Sequence, residues 1–297
     1  MSCTHAVTGA TGNTGRVIAE RLLEGGHKVR VIGRSAERLQ ALVDKGAEAR
    51  TGSVDDAGFL AEAYGGADAV YAMIPPNPGS NDYVAETAAI SKAHVQAIRE
   101  AGVNNVVALS SVGAHRPDGN GVVGVLYTFE QDLGGLDGVN VLSLRPAYFM
   151  DNIYPQAELI KLMGFVGSPV RGDVSMPVVH TRDIGEVAAV RMAERAFTGH
   201  SVEYVLGERN ISYDEITAAL AAALGRSDLA YVHFPGDQAM MGLKQFGFTD
   251  NTAKLLVELA DGVNDGSVLE HYERTPENTT GTSLESFAEE FAGMFKR

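Results

Sequence analysis

Thr8-Gly9-Ala10-Thr11-Gly12-Asn13-Thr14-Gly15 stands between an apolar run at residues 4–8 and a helix-period segment at residues 14–24. Glycine at such a turn permits a tight reversal and lets the backbone approach a ligand closely. The helix that follows offers unpaired amides and the positive end of its dipole to an anion. A strand, a glycine-rich turn and a helix in this order read as the cradle for a dinucleotide pyrophosphate. The spacing is Gly-x-x-Gly-x-x-Gly, so Gly12 rather than residue 11 makes the closest approach. Gly9, Ala10, Thr11, Gly12, Asn13, Thr14 and Gly15 are the expected pyrophosphate contacts.

Outward from this turn, short apolar runs alternate with helix-period segments through the first half of the chain, the mark of crossover units around a parallel sheet. Strands are expected at 4–8, 28–33, 47–51, 69–74, 105–110 and 140–145. The first helix carries Val17, Ile18 and Leu22 on one face and stops at Gly25-Gly26; the second follows Ser35 and ends at Gly46. After Pro146 the pattern becomes irregular and rich in Gly and Pro. It then resumes with an apolar stretch at 178–180, a helix at 182–196 and a strand at 202–206. Helices at 213–224, 251–259 and 284–295 and a short apolar stretch at 230–234 complete the chain. The fold class is α/β: a doubly wound Rossmann-type parallel sheet with a smaller C-terminal substrate lobe. Residues 1–147 form the nucleotide domain, to which the chain returns at about 178–206, and 148–177 with 207–297 form the lobe.

The second strand ends in Val31-Ile32-Gly33-Arg34, at the edge that faces an adenosine ribose. An NAD site usually has Asp or Glu there, whereas Arg pairs with a 2'-phosphate through charge-assisted hydrogen bonds. The expected cofactor is NADP(H). Its nicotinamide should lie over the carboxyl ends of strands four and five, beside Ile74 and Pro75 on one side and Ser110 and Ser111 on the other.

Composition narrows the chemistry. The 297 residues carry 38 acidic against 24 basic side chains, a formal charge of −14, which repels phosphate backbones and anionic membranes. Neither nucleic acid nor a membrane is an expected partner. The start reads MSCTHAVTG, with no basic leader or apolar run, and Cys3 is the single thiol, which fits a reducing compartment. The expected location is the cytoplasm. No two of the eight histidines lie within five residues of each other, and no metal is expected. No Tyr is followed four residues later by Lys; Tyr127, for example, is followed by Gln131. A Lys so placed lowers the phenol pKa, and without one a Tyr is a poor proton donor at neutral pH. Alcohol-to-ketone chemistry is therefore disfavoured, and an electron-poor acceptor that collects its proton from water is favoured. Ser111, Tyr127 and His180 are the side chains expected at the reacting centre, with Tyr148 beside the bound cofactor.

The chain resembles the NmrA-like group of atypical short-chain dehydrogenases, close to NAD(P)H-dependent quinone reductases. The resemblance rests on the glycine turn with Arg34, on Leu144-Arg145-Pro146-Ala147-Tyr148-Phe149-Met150-Asp151-Asn152, and on Met176-Pro177-Val178-Val179-His180-Thr181-Arg182-Asp183-Ile184. Thr275-Pro276 and the amphipathic tail are similar to the family's closing elements. The resemblance implies NADP along the sheet edge and a quinone-like or other small electrophilic acceptor between domain and lobe. Two departures stand out: no Lys precedes Glu130, where Leu126-Tyr127-Thr128 stands, and Ser53 follows Gly52 where relatives often have Asp near adenine, leaving Asp55 as a substitute. Some relatives have lost catalysis and act as redox-responsive regulators. The alternative expectation is thus an NADP(H) sensor that binds a protein partner, or a homodimer. A reductase of phenolic natural products shares the fold but usually relies on the missing Lys.

Overall fold

The computed structural model describes residues 2–295. In chain order the strands are β1 Thr4–Thr8, β2 Lys28–Gly33, β3 Glu48–Thr51, β4 Ala69–Ala72, β5 Asn105–Leu109, β6 Asn140–Pro146, β7 Tyr148–Phe149, β8 Phe165–Ser168, β9 Met176–Val179, β10 His200–Val205, β11 Asn210–Ile211 and β12 Ala230–His233. The helices are α1 Asn13–Glu24, α2 Ala36–Val43, α3 Ala57–Tyr64, α4 Tyr83–Ala101, α5 Gly124–Gly134, α6 Gln156–Met163, α7 Thr181–Glu194, α8 Tyr213–Leu224, α9 Gly236–Gln245, α10 Asp250–Asn264 and α11 Leu284–Phe295. None is long and apolar enough to cross a membrane.

Seven strands form one sheet in the order β10-β6-β5-β4-β1-β2-β3, with every pairing parallel. The expected Rossmann-type arrangement is therefore present, with a reversal of strand order at β1 between β4 and β2. Side chains alternate across it, as period-2 geometry requires. Ala6, Ile32, Val70, Ala72, Val106 and Ala108 pack with Leu60, Tyr64, Ile98 and Phe129 of α3, α4 and α5. Val7, Val31, Tyr71, Val107 and Leu142 face the other way, onto Ile18, Ala19, Leu22 and Leu39 of α1 and α2 and Ile184, Ala188 and Met192 of α7. Each fully buried aliphatic side chain here contributes about 1.5–3 kcal/mol, so the amphipathic helices are held by the sheet.

Parallel strands share one carboxyl edge, and the fold places the cradle, Arg34, Ser53, Ile74, Ser110 and Ala147 just beyond the ends of their strands. Local packing fixes the turn after β1. Gly9 has φ +63, and a Cβ on Gly15 would lie 2.3 Å from the Gly9 carbonyl oxygen, so helix and turn touch backbone to backbone. The Gly12 amide donates to Gly9 O at 2.9 Å. Beneath them Thr8 Oγ1 donates to the Tyr71 carbonyl at 2.8 Å, and the Tyr71 hydroxyl donates to Thr14 Oγ1 at 3.3 Å.

Beyond β6 the structure departs from the sequence reading. The stretch at 178–180 does not return to the main sheet; β9 pairs parallel to β7 and antiparallel to β11 in a separate three-stranded sheet, and only β10 comes back as the edge strand beside β6. The stretch read as irregular contains α6 and β8, and β8 pairs with β12. A further helix, α9, lies between β12 and α10. Met150, Ile153, Ile160, Tyr213, Ile216, Leu220, Phe287 and Phe291 form a second core in this region.

His94, fully buried in α4, accepts from the Tyr64 hydroxyl through Nδ1 at 2.8 Å and donates from Nε2 to the Met73 carbonyl at 3.3 Å. Burial lowers its pKa to about 4. Because the folded pKa lies below the unfolded value, stability is complete above pH 6.5 and falls as pH drops from there towards 4, by roughly 3 kcal/mol in all. An NMR titration of the His94 ring should show a midpoint near 4; one near 6.5 contradicts the assignment. Gly15→Ala should cost about 2 kcal/mol or more in urea unfolding, because a backbone carbonyl blocks the added methyl; an unchanged midpoint contradicts that packing.

Candidate active site

The cradle is built from an absence of capping. Gly12 is the N-cap of α1, no side chain bonds to the cap, and no acidic residue occupies the first turn. The first amides of a helix have no intrahelical partner, so Asn13, Thr14 and Gly15 present donors at the end of the sheet. Asn13 does not fold back to satisfy them. Its Nδ2 donates instead to Asp151 Oδ1 at 2.9 Å, and Asp151 also accepts from Thr181 N at 3.1 Å and Thr181 Oγ1 at 2.6 Å. One carboxylate thus joins the cradle helix to the segment after β7 and to the start of α7.

Arg34 is exposed at the end of β2 and forms no ion pair among the described residues. Ser35 beside it caps α2, accepting from Arg38 N at 3.3 Å, so the turn that carries the guanidinium is fixed while the charge is free. Ser53 is half-buried and Asp55 exposed in the loop after β3; Asp56, not Asp55, caps α3 by accepting from Phe59 N at 3.0 Å. Asp55 is therefore not needed by the helix. Ile74 is buried and Pro75 half-buried after β4.

Two serine hydroxyls at the end of β5 have their protons committed. Ser110 Oγ donates to Glu130 Oε1, and Ser111 Oγ donates to the Val112 carbonyl at 2.8 Å. A hydroxyl that already donates keeps only lone pairs for a visitor, so both offer acceptors, suited to an amide N–H. Glu130 is in turn gripped by Arg145 on two atoms, Nε to Oε1 at 2.9 Å and Nη2 to Oε2 at 2.6 Å, with the Glu130 side chain 2% and the Arg145 side chain 12% exposed. Arg145 Nη1 also donates to the Tyr204 hydroxyl at 3.2 Å. Burial works against the Arg145 charge, but the Glu130 and Tyr204 contacts prevail and hold its pKa above the usual value.

Tyr127 lies half-buried on α5, one turn before Glu130, and its hydroxyl bonds to no described residue. Tyr148 is tied elsewhere, to the Tyr213 hydroxyl at 2.8 Å, and burial pushes its pKa well above 10, so it stays neutral and cannot act as a proton donor of useful strength. His180 is the N-cap of α7. Its Nδ1 accepts from Arg182 N at 3.0 Å, its ring meets Phe287 edge-on at 6.0 Å, and its Nε2 lies 3.6 Å from Glu290. The structure thus places His180 against the C-terminal helix in a capping role. Glu130, Arg145 and Asp151 were not singled out by sequence reasoning, because pairs separated by 15 and 30 residues carry no local periodicity.

The model of the NmrA-like family matches residues 1–279. The chain belongs to that family. Among individual relatives of this NmrA-like protein, a (4-alkanoyl-5-oxo-2,5-dihydrofuran-3-yl)methyl phosphate reductase of Streptomyces griseus is 34% identical over 223 residues, 74% of this chain and 73% of the relative. An NADPH-dependent quinone oxidoreductase of Escherichia coli, crystallised with NADPH, superposes with a TM-score of 0.80 at 21% identity, covering 98% of this chain and 99% of its own. NmrA, a negative transcriptional regulator crystallised with NADP, superposes at 0.72 with 17% identity, covering 98% and 91%. The last two are likenesses of fold.

Removing one partner of the buried Glu130–Arg145 pair leaves an uncompensated charge. Glu130→Gln should lower stability by about 3 kcal/mol in urea unfolding, and the double variant Glu130→Gln/Arg145→Met should recover part of it. A single variant as stable as the parent contradicts the pairing.

Proposed function

We propose that the protein is an NADPH-dependent oxidoreductase that reduces a quinone-like or other small electrophilic acceptor. The observation that carries this reading is the uncapped start of α1 with an unpaired Arg34 at the neighbouring strand end. A diphosphate is the ligand whose charge and oxygens satisfy such amides. A 2'-phosphate gives the exposed guanidinium a bidentate partner. Both solved relatives named above were crystallised with that dinucleotide, and the reductase from Streptomyces griseus supports the redox class.

Bound NADPH supplies a hydride. The chain's own residues do the rest. Gly9 to Gly15 hold the diphosphate, Arg34 selects the 2'-phosphate, and Ser53 and Asp55 border the adenosine. Ile74 and Pro75 form the apolar wall at the nicotinamide end, and Ser110 accepts from its carboxamide because its own proton is held by Glu130. Ser111 can accept in the same way. The acceptor lies between the sheet edge and the lobe formed by 148–177 and 207–297. Tyr127, with an uncommitted hydroxyl, faces the choice of donating a proton or leaving that to water. No Lys stands four residues after Tyr127, and such a site suits acceptors that need little general-acid help and collect their proton from solvent. The chemistry and the single thiol fit the cytoplasm.

Arg34→Ala should weaken NADPH binding by about 1.5–3 kcal/mol, roughly 10- to 150-fold, and leave NADH binding nearly unchanged. Equal losses for both cofactors in a fluorescence titration contradict the 2'-phosphate assignment. Steady NADPH oxidation over a quinone panel including menadione, with simple ketones inert, is the expected activity. Tight NADPH binding with no turnover over that panel, and cofactor-dependent capture of a partner, would instead favour the sensor reading.

A further inference from the structure

Sequence spacing shows no metal motif, but spacing reports only neighbours along the chain. The fold joins two distant segments: the loop after β5, which carries His115, and the turn after a short helical stretch at Ser267–Leu269, which carries Glu270 and His271. One ligand atom from each of His115, Glu270 and His271 lies within 4.8 Å of the other two. The two imidazole rings meet edge-on with centroids 4.7 Å apart.

Two further observations point to a ligand. Both ring nitrogens of His115 are shut off from solvent and have no hydrogen-bond partner among the described residues. A neutral imidazole needs one donor and one acceptor contact, and each unmet need costs about 1–3 kcal/mol. A buried lone pair that no protein group meets is what a metal ion resolves. The other two ligands can move to meet it. His271 and Glu270 have side chains 69% and 57% exposed, so their rotamers are free. Donor atoms around a tetrahedral zinc ion at about 2.0–2.1 Å lie roughly 3.3 Å apart, a contraction these surface side chains can make without moving the backbone. His271 adopts a left-handed backbone conformation, φ +62.

We propose that His115, Glu270 and His271 form a binding site for a divalent transition-metal ion of the zinc class. Two imidazoles and one carboxylate suit zinc, nickel or copper and not magnesium or calcium, which prefer all-oxygen shells. Three protein ligands leave the fourth position to water. The ion bridges the loop that follows Ser110 and Ser111 to a segment whose Leu269 and Tyr272 pack against the nucleotide-domain core. It therefore acts as a clamp across the rim of the proposed active site, and it stands whether or not that site turns over.

The test uses tag-free full-length protein, stripped with a chelator and titrated with zinc chloride by calorimetry, with melting followed in parallel. One zinc ion per chain should bind and raise the melting temperature, while magnesium chloride produces neither effect. Glu270→Gln, at the surface, should match the stripped parent in melting temperature, and both it and His271→Ala should weaken zinc binding by at least about 10-fold. Absence of zinc binding at tens of micromolar overturns the site, as does undiminished affinity in His271→Ala. A competing location is the His5–His27 pair, whose facing nitrogens lie 3.3 Å apart. Zinc binding lost in His27→Ala but kept in His271→Ala places the ion there and also overturns the proposal.

Discussion

Everything at the carboxyl edge of the sheet depends on one contact, the Gly15 Cα against the Gly9 carbonyl. Because a Cβ cannot fit there, α1 starts directly on the turn, and because Gly12 has no side chain, no side chain among the described residues caps the helix. The open amides are thus a packing consequence as much as a binding feature. Tyr71 and Thr14 lock the turn from below, and Asn13 is drawn away to Asp151. An Asp or Ser in place of Gly12 would bond to those same amides and compete with any anion.

The parallel sheet turns that local feature into a site. Strands read by different stretches of sequence end on one line, so Arg34, Ile74 and Ser110 gather without any contact between them. Charge is then distributed unevenly along the edge. At the adenosine end a guanidinium is free, whereas at the other end Arg145 is consumed by Glu130, and Glu130 holds the proton of Ser110. That chain fixes the direction of a hydrogen bond: Ser110 accepts from a ligand rather than donating to it. Asp151 adds a mechanical link, since the same carboxylate binds the cradle helix and the first turn of α7.

The nucleotide half was legible because its information is local. Val29, Val31 and Ile32 of β2 and Val106, Val107 and Ala108 of β5 are buried and divided between the two faces of the sheet, and the strands fall where those apolar residues cluster. The start of α1 is marked by glycines whose roles are backbone roles, visible as residue types. Beyond Pro146 the same reasoning loses its footing. Met176-Pro177-Val178-Val179 is as apolar as any strand of the main sheet, yet β9 pairs with the two-residue strands β7 and β11, and nothing in a period-2 pattern names a partner. Helix α6 was hidden because Pro155 and Gly164 at its ends read as loop punctuation, although they serve as its N-cap and C-cap. His180 sits in a motif that suggests chemistry, and its Nδ1 turns out to cap a helix. Glu130 and Arg145 carry no signal of pairing until α5 is laid against β6.

The sharpest measurement follows the backbone amides themselves. In an isotope-labelled sample titrated with NADPH, the amide resonances of Asn13, Thr14 and Gly15 should move downfield together as the diphosphate accepts their hydrogen bonds, in step with the binding isotherm. Saturation of the protein with NADPH while those three resonances stay in place would show that the helix tip does not hold the diphosphate, and the functional reading built on it would be contradicted.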